Sequence, residues 1–153
     1  MIITESKNNF PVKLLERAAQ AALENQSKPL DSELTIVLTD DAHIQELNRD
    51  YLGIDAPTDV LSFPASEIDG SEIDPETGSP YLGDIIISLP YAAKSAAQAG
   101  HPLEAEVQLL VVHGVLHLLG HDHARAKEKA KMWKAQAEIL ESLGLGEIKI
   151  QEE

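Results

Sequence analysis

Two histidines four positions apart, in an otherwise apolar run, constrain this chain more than any other feature of it. A helix from about Pro102 to Leu119, stopped by Gly120, sets His113 and His117 one turn apart on one face, near enough to grip a single ion. Gly120 lets the chain leave the helix in a conformation that other residues resist, and the turn it makes can swing His123 back as a third nitrogen ligand. Four of the six histidines lie between positions 113 and 123, and burying that many imidazoles without a partner is costly. The expectation is one catalytic Zn²⁺ on His113, His117 and His123, with the fourth position left for a water whose pKa falls toward neutrality. His121 is the alternative third ligand. Asp122 reads equally as an orienting partner for a liganding imidazole or as a solvated turn residue.

The spacing H-x-x-x-H-x-x-G-x-x-H also matches the frame of the metzincin zinc proteases, in which a glutamate after the first histidine is the general base. Here that position is Gly114, so a peptidase of that type would lack its base. With no cysteine in the chain, disulfides and thiolate ligands are excluded, which leaves imidazole and carboxylate as the ligand chemistry.

Around this segment the periodicity gives an α+β domain, zincin-like, with a small mixed sheet of about four strands and about five helices; residues 1–153 are expected to form one domain. Strands are expected at Met1–Thr4, Leu34–Thr39, Asp59–Phe63 and Leu82–Ser88. Helices are expected at Val12–Asn25, from Asp40 or Asp41 to about Tyr51, from Pro90 to near Gly100, at Pro102–Leu119, and at roughly Ala126–Leu143. Residues 65–81 are acidic and broken by Gly70, Pro75, Gly78 and Pro80, and read as an exposed loop. No stretch approaches the ~20 apolar residues that span a membrane, and the N-terminus lacks a secretory signal, so a cytoplasmic location is the default.

The net charge of −14 argues against tight non-specific nucleic-acid binding, since phosphate affinity comes mainly from Lys and Arg. Its distribution qualifies that. Five of the twelve basic residues fall between Arg125 and Lys134, beside the histidine cluster.

The segment from His113 to His123 resembles the signature of the bacterial YbeY family of endoribonucleases and rRNA maturation factors. Pro57-Thr58-Asp59-Val60-Leu61-Ser62-Phe63-Pro64 and Gly83-Asp84-Ile85-Ile86-Ile87-Ser88 match two more of its motifs, in the family's order. The resemblance implies a zinc-dependent, single-strand-specific endoribonuclease acting at the 3′ end of small-subunit rRNA and in ribosome quality control. It also implies association with small-subunit particles. The chain departs from the pattern at one place: the family commonly has an arginine after the tyrosine preceding Pro-Thr-Asp, and here Tyr51 is followed by Leu52. Lys127, Lys131 and Lys134 are candidates for part of that phosphate-binding role, against the plainer reading that they solvate an exposed helix face. Strand alternation turns Val60 and Ser62 one way and Leu61 and Phe63 the other, which makes Ser62 a candidate for the substrate cleft. No side chain stands out as a general base. A different class of function is an assembly factor with a structural zinc site, its acidic body docking a basic ribosomal protein.

Overall fold

A computed structural model describes residues 2–6, 10–29, 31–65, 81–121 and 125–147. Among these residues four strands and five helices are formed: β1 (Ile2–Ser6), α1 (Val12–Asn25), β2 (Glu33–Thr39), α2 (Asp41–Leu52), β3 (Val60–Pro64), β4 (Tyr81–Ser88), α3 (Leu89–Ala99), α4 (Leu103–Leu118) and α5 (Ala126–Ser142). The α+β class and the mixed sheet agree with the sequence reading. The expected acidic loop at 65–81 falls almost wholly outside the described residues; of its two ends, Ala65 is buried and Tyr81 already belongs to β4. No described helix is long and apolar enough to cross a membrane.

The helix ends follow local chemistry. The Asp40 carboxylate accepts the backbone N–H of His43 at 2.9 Å, satisfying one of the donors that the first turn of α2 leaves open. In α3 the Ser88 hydroxyl takes the same role for Tyr91, and Pro90 sits in the first turn, where its missing N–H costs nothing.

The strand order is β1-β2-β4-β3. β1, β2 and β4 run parallel, and β3 lies antiparallel to β4 at the edge. One face of the sheet, with Leu34, Ile36, Ile85 and Ile87, shares a core with α1, α4 and α5. The other face, with Leu61 and Ile86, packs on Ile44 of α2. Helix α4 is the hub, in contact with α1, α3, α5, β3 and β4. A helix apolar on all sides must be buried on all sides, and α4 nearly is.

Gly83 is where β4 meets β3 most closely. It has φ +136°, and a Cβ there would stand 2.2 Å from the carbonyl oxygen of Phe63. Only glycine permits both the conformation and the approach. The close approach sits beside a register shift at Glu33/Leu34 on the neighbouring strand β2, where one residue of β4 is accommodated as a bulge.

Candidate active site

Between Ala105 and Leu118 on α4, every residue is buried except His113 and His117. The two imidazoles occupy the single gap in the helix's packing, and that gap opens into a cleft. Their Nε2 atoms stand 3.1 Å apart, with ring centroids 4.6 Å apart and planes at 70°. Two nitrogens bound at about 2.0–2.1 Å to one tetrahedral zinc would be about 3.3 Å from each other, so the pair is already spaced as two ligands of one such ion.

Gln136 of α5, buried to 1% exposure, brings its Oε1 to 3.0 Å from Nδ1 of His113. An amide oxygen accepts, so Nδ1 donates and the Nε2 lone pair of His113 is left pointing at the gap. The neutral tautomer that a metal ligand would need is thereby selected by the fold itself. Trp133, one helical turn before Gln136, lies against the His113 ring at a centroid distance of 5.7 Å.

His123 and Asp122, expected as third ligand and orienting residue, lie outside the described residues; among the described ones no group of three metal-ligating side chains is formed. Gly120, at φ +95°, takes the chain out of α4 in the left-handed region, as its place in the motif implied. His121 turns its Nε2 to Oε1 of Gln26 on α1, 2.7 Å away. Burial, and secondarily Lys131, hold its pKa below the usual histidine value.

The cleft encloses about 790 Å³ between α3, the cleft face of α4, the middle of α5 and β3. Ser62 lines it, from the strand face opposite to that of Leu61, which is buried against α2. Asp59 lines it too, and its Oδ1 accepts the N–H of Val60 at 2.8 Å. Its carbonyl accepts the N–H of Ser88, tying the start of β3 to the start of α3. Asp84 lies within β4, paired with Thr35 and Phe63, and its carboxylate accepts the hydroxyl of Tyr81. Its place is therefore inside the strand.

None of Lys127, Lys131 and Lys134 lines the cleft. Lys131 borders a separate hollow with His121 and Glu128, and all three lysines project from the exposed side of α5. Leu52 does line the cleft, at its rim. Lys94 and Gln136 are among the cleft residues that escaped the sequence reading. Lys94 of α3 carried no motif. Gln136 did leave a signal, because it falls in helical register with Met132, Ile139 and Leu140, a polar residue on an apolar stripe.

Residues 2–144 match a family model described as Endoribonuclease YbeY. Curated relatives described as Endoribonuclease YbeY include one from Shouchella clausii, 44% identical over 88% of this chain and 87% of its own length. Another, from Moorella thermoacetica, is 44% identical over 94% of this chain and 96% of its own. Among solved structures, the solution structure of TM1509 from Thermotoga maritima matches with a TM-score of 0.58 and 26% identity, over 94% of this chain and 92% of that one.

Proposed function

Because the chain belongs to the YbeY endoribonuclease family, we propose that it is a zinc-dependent endoribonuclease that cleaves single-stranded RNA in ribosomal RNA maturation, with His113, His117 and His123 as the metal ligands. The observation that carries this reading is the pair of Nε2 atoms 3.1 Å apart, at the one break in the burial of α4 between Ala105 and Leu118. The donor set suits the ion: neutral imidazoles on one helix face, one of them fixed in its liganding tautomer by a buried amide. When bound, zinc supplies Lewis acidity to a phosphodiester and makes a water acidic enough to ionise near neutral pH.

The remaining work falls to the chain itself. Gln136 keeps the His113 ring from turning. Trp133 packs its indole, tilted, beside that ring. Ser62 offers a hydroxyl in the lining of the same cleft. Gly114 faces away from this chemistry. A Cβ at that position would meet Ile85 of β4 at 2.9 Å, so the helix position that holds the base in metzincin proteases is packed against the sheet here. The family assignment and this packing together leave the peptidase reading without support.

The test is cleavage of a single-stranded RNA by zinc-loaded protein, beside His113→Ala and His117→Ala variants shown by circular dichroism to be folded. Each substitution is expected to lower the rate at least 10³-fold. Full activity in either would overturn the reading. An inactive wild type that still bound small-subunit particles would instead favour an assembly factor with a structural metal, to which the charge of −14 could contribute by docking a basic ribosomal protein.

A further inference from the structure

One wall of the cleft that holds the histidines is made by a face of α3, where Tyr91, Lys94, Ser95 and Gln98 follow one another at spacings of three, one and three. Those spacings put all four on one stripe of the helix. Each of the four can donate a hydrogen bond from its side chain. On the other side of α3, Ala92 and Ala96 are buried against the core, so the stripe is turned outward by packing and not by chance.

Lys94 is the only lysine or arginine among the described residues that line the cleft. It is exposed and makes no ion pair or side-chain hydrogen bond with any described residue. The acidic groups in the same cleft are differently placed. The Asp59 carboxylate is taken by the N–H of Val60, and that of buried Glu106 by Nε2 of His101 at 2.9 Å. In a molecule carrying more than twice as many acidic as basic side chains, 26 against 12, an ammonium in the cleft with no partner among the described residues is the exception, and it lines the same cleft as the histidine pair.

We propose that Lys94, with Ser95 and Gln98 on the same stripe, is the phosphate-binding track of the cleft, holding the backbone of a single-stranded RNA along α3 while the histidine face of α4 meets the phosphodiester to be cut. The inference deepens the endoribonuclease reading and rests on it. It also assigns the phosphate-binding role to α3 and away from the lysines of α5. A lysine acts here as a point charge, so it favours any strand with a phosphate at that position and contributes affinity more than sequence choice.

The experiment is fluorescence anisotropy with a labelled single-stranded RNA oligonucleotide, as a function of salt, on the full chain. Wild type is compared with Lys94→Gln, Lys94→Arg and Lys13→Gln; Lys13 is an exposed lysine of α1 outside the cleft, and its variant controls for the change of net charge. Lys94→Gln is expected to raise Kd about tenfold at ~0.05 M salt. It should also reduce the slope of log K against log salt by about 0.7, the contribution of one phosphate contact on a single strand. Lys94→Arg should stay within about twofold of wild type, and so should Lys13→Gln. Melting curves of all four proteins should coincide, because an exposed substitution of this kind alters stability by less than ~0.5 kcal/mol. If wild type binds RNA and Lys94→Gln binds it equally, with the same slope, the track is wrong and the endoribonuclease reading survives. Equal losses in Lys94→Gln and Lys13→Gln would likewise reduce the effect to net charge and overturn the track. If wild type itself neither binds nor cuts RNA, both fall together.

Discussion

At His113 the nitrogen remote from the cleft is committed to Gln136, a residue 23 positions away on another helix. Removing that acceptor should matter to the metal more than to the fold. For Gln136→Leu, which keeps the volume and drops the amide, zinc affinity is expected to fall about 10–100-fold, the usual effect of deleting a partner behind a liganding histidine. Competition against a chromophoric chelator measures it, and an unchanged affinity would mean that the amide only fills space. A second residue-scale device is Tyr81. Its hydroxyl donates to Asp84 and also lies 3.2 Å from Thr35 Oγ1. Burial first, and then the bond to Asp84, push the phenol pKa above its usual value of about 10. The folded state thus holds the proton when the unfolded chain has begun to release it. The associated stability is intact below pH ~10 and is lost as the pH rises through the folded value. Unfolding midpoints of Tyr81→Phe should accordingly decline less between pH 9 and 11 than those of wild type. Parallel curves would count against the argument.

At the scale of elements, the contact of α4 with β4 depends on Gly114. Alanine there gains about 1 kcal/mol of helix propensity over glycine. Its Cβ, however, would come within 2.9–3.1 Å of three atoms of fully buried Ile85. Overpacking of that kind costs about 1–3 kcal/mol, so the clash outweighs the propensity and Gly114→Ala should be net destabilising by about 1 kcal/mol in urea unfolding. A more stable variant would show that Ile85 repacks freely. Gly114→Glu, which restores the metzincin letter, is expected to yield unfolded protein and no peptidase. The β3–β4 contact at Gly83 is less forgiving still, because its obstacles are backbone atoms, Phe63 O at 2.2 Å and Ala65 N at 2.9 Å. Positive φ adds to that, and Gly83→Ala should lose more than about 3 kcal/mol.

For the molecule as a whole, a charge of −14 on 153 residues sets two salt dependences of opposite sign. Like charges repel in the compact state, so raising the ionic strength from ~0.01 to ~0.1 M, which shortens the screening length from about 30 to about 10 Å, should raise the melting temperature of the free protein. The same change should weaken RNA binding, since each phosphate contact releases counterions. Thermal denaturation and anisotropy over one salt series test both at once. A melting temperature that fell with salt would place attractive ion pairs above the general repulsion. That is not expected, because among the described residues the contacts between oppositely charged groups are exposed Arg49–Asp50 and, when His101 is protonated, buried His101–Glu106.

Periodicity and spacing alone determined the element order, the mixed α+β class, the limits of α1 and the shared face of His113 and His117. All of these depend on residues within a few positions of one another, where side-chain direction follows from the helix or strand repeat itself. The family followed from the three motifs and their order, and it agrees with the match over residues 2–144. The basic strip on α5 was legible as charge but not as position: a run of lysines reports which helix carries them, whereas the side of that helix exposed to solvent is decided by what Met132, Gln136 and Ile139 pack against. Only the tertiary structure brought Gln136 to the back of His113, set Lys94 in the same cleft and turned Gly114 into the sheet. Those contacts join residues tens of positions apart, and no local repeat encodes which surfaces of two helices and a strand will meet. The histidine pair was written in the chain; the polar and charged groups that make a site of it were supplied by packing.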